Sequence, residues 1–381
     1  MKECIDYIVT WLCYGRGNAA ARVAYTDDET ALAQYDVLVT PCGHLGKEIV
    51  LPNMDKPRVD NPSEGKYIIR TDIVYNTFFF VSRAEETINP QRDGHGRFAA
   101  RYSLLGDGNR LLVPLLDEYA RLLLKLLGEP MPPEEFSSIC LTHDIDAITQ
   151  YRHWRGALGG LLRGEWKEVW RALRDVNKDP LYTFPWLVEQ DAHVPGAQTV
   201  YFVKHTHGKG YDYPQYCLRG REWLKLKKQL LHANARLGIH GSYYGFIPES
   251  KDCRLFRAHY LRCSIEQMQR LADAGYTDDY SMGFADRAGF RLLTCRPVRW
   301  INPLTMSLTG LTLHPLLIMD NTLSQSNYMH LTEDEAYALC ERIIATVKVY
   351  NGELCLLWHN SSFTANSYHH TLYPDILNLL H

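Results

Sequence analysis

Apolar residues along this chain fall into two kinds of run. Short, nearly continuous apolar stretches that stop abruptly at charged or imidazole side chains predict buried strands with polar C-terminal ends. Four are read in this way: Ser137–Asp146 (SSICLTHDID), Ala197–Val203 leading into KHTH, Leu237–His240 leading into GSYYG, and Gly352–His359 (GELCLLWH). Between them, apolar residues recur at helical spacing over Arg219–Arg236, Arg257–Ala274 and Thr332–Tyr350. Alternation of this kind predicts an α/β fold with a parallel sheet or barrel, whose strand ends converge on one face. The side chains expected there are His143, Asp144, Asp146, His205, His207, His240 and His359.

The pattern upstream is different. Asp36–Pro41 (DVLVTP) and Tyr67–Tyr75 (YIIRTDIVY) read as strands by their β-branched and aromatic content. Leu112–Leu127 reads as an amphipathic helix. Residues 128–136, GEPMPPEEF, hold three prolines in nine positions and read as a linker. The expectation is a smaller N-terminal α/β domain over 1–130 and a second unit over 137–381.

Composition narrows the function classes. The chain has 381 residues, 46% hydrophobic and 22% charged, with a formal net charge of −3. That is ordinary globular composition, with no overall basic footprint for nucleic acid. The basic stretch Arg219–Lys228 reads as the solvated face of a helix. No apolar run is long enough for a membrane span, and no leader peptide is expected at the N-terminus. None of the ten cysteines falls in a CxxC pair, which argues against a cysteine zinc site and for free thiols in the cytoplasm.

The sharpest local signal is Thr142-His143-Asp144-Ile145-Asp146. Two carboxylates two residues apart at a strand end repel each other unless a cation lies between them. A divalent cation with oxygen and imidazole ligands removes that conflict, leaving one aspartate as ligand and the other as base. The same pair would equally serve as loop caps. Gly238-Ile239-His240-Gly241-Ser242 places a histidine beside a glycine, which would let a metal or substrate approach closely. His359, closing LLWH, has the chemistry of a general acid.

Together these segments resemble the NodB-type polysaccharide deacetylases of carbohydrate esterase family four, over about residues 137–381. THDID stands where that family has its first motif, which implies Asp144 as base and Asp146 as metal ligand. His240-Gly-Ser-Tyr-Tyr244 stands at the second, implying His240 as ligand but placing Tyr244 where a second histidine is usual. Arg257-Ala-His259-Tyr-Leu-Arg262 stands at the third, implying Arg257 as the arginine that orients the base. His259 is the candidate for the missing ligand, with His205 and His207 in competition. Tyr276–Arg291 matches a fourth region, with Asp279 and Arg291 either lining the pocket or forming a surface salt bridge. His359 corresponds to the general acid of the last motif. Residues 72–97 also resemble the region preceding such a domain in divergent Bacteroidetes-type members, and Glu85 and Glu86 are read there as structural.

The resemblance implies a deformed (β/α) barrel of the polysaccharide deacetylase type, preceded by an α/β accessory domain. It implies a divalent metal cofactor, with zinc expected, and an acetylated sugar or glycan as substrate. Two other readings stand beside it: hydrolysis of another C–N amide bond, and a non-catalytic carbohydrate-binding or scaffold protein on the same fold.

Overall fold

The computed structural model describes residues 1–106, 108–205, 208–214, 216–249, 253–363 and 367–381. In the N-terminal region, β1 (Val23–Tyr25), β2 (Val37–Val39), β3 (Val59–Ser63) and β4 (Lys66–Ile69) form a sheet ordered β1-β2-β4-β3. Only β3 runs antiparallel to its neighbour. The strand expected over Tyr67–Tyr75 stops at Ile69, and Ile73–Val81 is a helix. Asp72 is the reason: its carboxylate accepts the Tyr75 backbone N–H at 2.7 Å, an N-cap that turns the chain out of the sheet. The expected helix before the linker is present as Leu115–Leu126.

Eight more strands follow: β5 (Ser138–Ile145), β6 (Gln198–Lys204), β7 (Arg236–His240), β8 (Leu255–Arg257), β9 (Asp278–Met282), β10 (Val298–Asn302), β11 (Ser307–Met319) and β12 (Glu353–Leu357). Seven of them pair in parallel in the cyclic order β5-β6-β7-β8-β9-β11-β12, and β12 closes on β5. This is a closed parallel barrel within the α/β class. β10 is an antiparallel addition on β11. Parallel barrel strands are covered on both faces, which is why they read as almost unbroken apolar runs.

The barrel interior is filled by Cys140, Val200, Phe202, Tyr280, Leu316, Cys355 and Leu357, among others. Each fully buried side chain of this size contributes about 1.5–3 kcal/mol. Gly238 is required by this packing, since a Cβ there would lie 2.5 Å from the Phe202 ring.

Arg257–Ala274 is not one helix. Leu255–Arg257 is a fully buried strand, and the helix runs only from Ile265 to Asp273, capped by Ser264. Tyr260 at φ 59° breaks the chain between them.

The N-terminal region and the barrel share one apolar cluster, which joins Leu12, Phe78, Phe79 and Leu123 to Phe256, Trp300 and Leu313. Polar contacts cross the same seam. Trp11 Nε1 donates to the Pro297 carbonyl at 3.0 Å, and Arg83 donates to the Cys263 carbonyl at 2.7 Å. All ten cysteines are free.

Candidate metal centre and its cavity

The C-terminal ends of the barrel strands carry the polar side chains. Alternation along β5 sends Thr142 and Asp144 inward and His143 outward. His143 therefore does not join the site: its ring nitrogens lie 2.7 Å from the Trp358 carbonyl and 3.0 Å from Asp191. Asp146, just past the strand, meets two histidines. His240 Nε2 lies 3.5 Å and His259 Nε2 3.2 Å from Asp146 Oδ1. One ligand-type atom from each of Asp146, His240 and His259 falls within 4.8 Å of the others.

The outer atoms of both rings are already committed. His240 Nδ1 lies 3.1 Å from the Arg257 carbonyl, and His259 Nδ1 lies 2.9 Å from Asp212 Oδ1. Each contact favours the tautomer that carries its proton on Nδ1 and leaves an Nε2 lone pair facing Asp146. Asp212 also accepts from the Ser242 hydroxyl at 2.5 Å and the Tyr243 N–H at 2.8 Å.

Asp146 Oδ1 and His240 Nε2 are buried without a hydrogen-bond partner. Two imidazoles and one carboxylate with converging unsatisfied atoms fit a divalent cation, and the donor set is one that zinc accepts. Burial would push the Asp146 carboxyl up, but the adjacent imidazoles of His240 and His259 hold it well below the usual range. Burial opposes charge on His259 too, and Asp146 and Asp212 reverse that effect and raise its pKa.

Asp144 lies beside this cluster, 3% exposed, with Oδ2 3.8 Å from His240 Nε2. The fully buried Arg257 places Nη1 3.6 Å from Asp144 Oδ1 and donates from Nη2 to Thr142 Oγ1 at 2.8 Å. Its guanidinium stands over the Phe202 ring, 4.9 Å from the centroid. His359 faces both aspartates, with Nε2 3.9 Å from Asp144 Oδ2 and 3.9 Å from Asp146 Oδ2. Behind it, the fully buried Asp320 lies 2.8 Å from His359 Nδ1 and also accepts the His359 backbone N–H and the Ser362 hydroxyl. Burial alone would lower the His359 pKa; Asp320, aided by Asp144 and Asp146, carries it up to about 10.

Asp144, Asp146, His259 and His359 open into a cavity of 380 Å³. Its rim is aromatic, with Tyr211, Tyr213, Tyr260 and Tyr328. His95 and Arg97 reach the same cavity from the N-terminal region. Arg97 is fixed by Asp93 and by the Tyr328 hydroxyl, the latter at 3.0 Å. The Arg262 guanidinium donates to the His95 carbonyl at 2.9 Å and the Tyr243 carbonyl at 2.7 Å, which pins that loop to the barrel.

Several expected residues lie elsewhere. Tyr244 is 61% exposed, its hydroxyl accepts from the Tyr211 N–H at 3.5 Å, and it is not among the residues that line the cavity. Gly241 does not make room for a ligand, because a Cβ there would meet the Phe256 ring at 2.4 Å. Asp279 and Arg291 do not line the cavity. Asp279 is fully buried and bonds Ser281, whose hydroxyl accepts the Ala258 N–H and so braces the end of β8. Arg291 pairs with Glu86 at 2.8 Å, and Glu86 also binds Arg83. His205 is not among the clustered ligand atoms, and His207 lies outside the described residues.

Comparison with known proteins gives limited kinship. A family model described as "Family of unknown function (DUF7033)" matches residues 7–132, the stretch that holds the N-terminal sheet, His95 and Arg97. No curated protein matches the chain. Among solved structures, a "putative polysaccharide deacetylase from Mycobacterium smegmatis" is similar over 65% of this chain and 85% of its own, with 13% identity and a TM-score of 0.42.

Proposed function

We propose that this chain is a metal-dependent hydrolase of the polysaccharide deacetylase type, built on a deformed (β/α) barrel, that removes an acetyl group from the nitrogen of a sugar or glycan. Residues 137–381 are read as the catalytic domain and 1–130 as an accessory domain that completes the cavity. The observation that carries this reading is one constellation. Ligand atoms of Asp146, His240 and His259 converge, two of them without a hydrogen-bond partner, beside an aspartate paired with arginine and a histidine backed by a carboxylate.

Asp146, His240 and His259 would hold the cation. Bound there, zinc would supply Lewis acidity toward the substrate carbonyl and toward water. Asp144 takes the proton of the attacking water, and Arg257, 3.6 Å away, aims that carboxylate. His359 delivers its proton to the leaving nitrogen. Asp320 holds the far side of that ring, so that Nε2 points into the cavity. The amide C–N bond breaks, acetate leaves with the new C–O bond, and the amine leaves with the proton from His359. The tyrosine rim offers flat faces for stacking a sugar ring.

Elemental analysis of the wild type and of Asp146→Ala and His240→Ala tests the site. Near-stoichiometric metal in the wild type, lost in both variants, is expected. Hydrolysis of acetylated sugars should then depend on Asp144, and full activity in Asp144→Asn would exclude it as the base. No metal after zinc is supplied would overturn the reading. Turnover of small cyclic amides in place of sugars would retain the chemistry and change the substrate.

A further inference from the structure

Between β5 and β6 the chain makes a helical hairpin, Trp154–Leu162 and Trp166–Arg174. It leaves from the C-terminal end of β5, so it stands on the same side of the barrel as the metal centre. Its apolar residues are arranged in an unusual way. In the second helix, Val169 and Ala172 are buried against Tyr151, whereas Trp166, Trp170 and Leu173 lie on another face and are exposed. In the first helix, Trp154, Leu158, Leu161 and Leu162 follow the same helical spacing and are exposed, Trp154 at 71% and Leu162 at 80%. Of the large hydrophobic side chains exposed among the described residues, seven of nineteen fall within this hairpin. A helix apolar on two faces has one face packed and one awaiting a partner.

The hairpin is a built element. The helices approach so closely at Gly160 that a Cβ would meet Val169 at 2.6 Å. Arg152 donates to the Ala172 and Leu173 carbonyls at 2.7 and 2.9 Å, and Tyr151 Oη donates to Glu165 at 3.0 Å.

Charge points to the occupant. Residues 154–174 carry five basic side chains against two acidic ones, in a chain whose net charge is −3. Each exposed tryptophan has a cation over its ring: Arg155 on Trp154 at 5.1 Å, Lys167 on Trp166 at 5.3 Å, and Arg174 on Trp170 at 4.8 Å. Tryptophan, leucine and flanking cations on one surface are the chemistry of the interface between lipid headgroups and acyl chains. A second copy of the hairpin would bring the same positive charges together, which opposes self-association. Among the described residues no helix is long and apolar enough to cross a membrane, so contact would be at the surface.

We propose that this hairpin docks the protein on an anionic lipid bilayer. Arg155 also stands over Tyr213, 5.6 Å from the ring centroid, and Tyr213 lines the cavity. The docked hairpin therefore places the cavity mouth beside the lipid headgroups. The docking does not depend on the hydrolytic reading and is measured without turnover.

The test is cosedimentation of the full chain with mixed phosphatidylcholine–phosphatidylglycerol vesicles and with pure phosphatidylcholine vesicles. Binding to the mixed vesicles is expected, weakened by salt. The W154S/W166S/W170S variant should lose roughly tenfold or more of that affinity, with metal content and melting temperature unchanged. The R163E/K167E/R171E variant should lose the preference for anionic lipid. Three outcomes would overturn the proposal: a wild type that stays in the supernatant, a tryptophan variant that binds equally well, or a wild-type dimer that the tryptophan variant converts to a monomer.

Discussion

Asp320 and His359 meet across the β11–β12 pair, with 2.8 Å between Asp320 Oδ1 and His359 Nδ1. The two strands are parallel and in register at Met319 and Leu357, so the residues just beyond their ends are brought together by the sheet itself. Asp320→Asn keeps an acceptor in place but removes the charge that favours a protonated His359. On the proposed function it should lower kcat by about 10²-fold or more and leave metal content unchanged. Steady-state assay with elemental analysis of the same sample checks this.

The proposed ligand set makes opposite predictions for two neighbouring residues. Asp212→Asn loosens the support of His259 and should weaken metal affinity by about 10–100-fold, read by chelator competition. Tyr244→His, which restores the motif histidine by sequence, should leave affinity unchanged, because that side chain is exposed and does not line the cavity. Tighter binding by Tyr244→His would show that His259 is not the third ligand.

His314 gives a pH dependence of stability that is separate from the metal centre. Its ring is stacked on Tyr280 at 4.2 Å and held between Glu353 at 2.6 Å and Asp278 at 3.0 Å. Burial would lower its pKa, but the two carboxylates raise it to about 9. The folded value lies above the unfolded one, which is about 6.5. The stabilisation is therefore complete below about pH 6.5 and is lost as pH rises through about 9. Urea midpoints at pH 6 and pH 9.5 should differ more for the wild type than for His314→Gln.

Glu86 neutralises two arginines in the seam between the N-terminal region and the barrel, Arg83 at 2.6 Å and Arg291 at 2.8 Å. Glu86→Ala would leave both charges buried and uncompensated, at a cost of about 3–5 kcal/mol. Denaturant unfolding should show that loss as one transition, because the apolar cluster is continuous across the seam.

The strand ends were legible because burial on both faces leaves a plain mark, an apolar run broken by a charge. Asp144, Asp146, His240 and His359 were all found in that way. Asp320 closes such a run too, PLLIMD, yet no motif pointed to it. Asp212 had no local signal, since it lies in a short turn between strand and helix. Arg257 reads as the start of a helix because apolar residues recur at helical spacing through Ala274, and only the barrel supplies the neighbours that make it a strand. The segment after Ile69 misled by composition. Its aromatic and β-branched residues favour strands, but Asp72 begins a helix and the surrounding core accepts it.

The wall formed by His95 and Arg97 comes from a stretch of chain that ends well before the first barrel strand. The proposed acid, base and ligand residues therefore sit in one part of the sequence, and a piece of the mould that shapes the entrance sits in another. Substitutions in the His95 loop can reshape what enters while every strand-end group stays where it is. On the proposed function, selection for a new substrate and preservation of the chemistry would act on separate segments of one polypeptide.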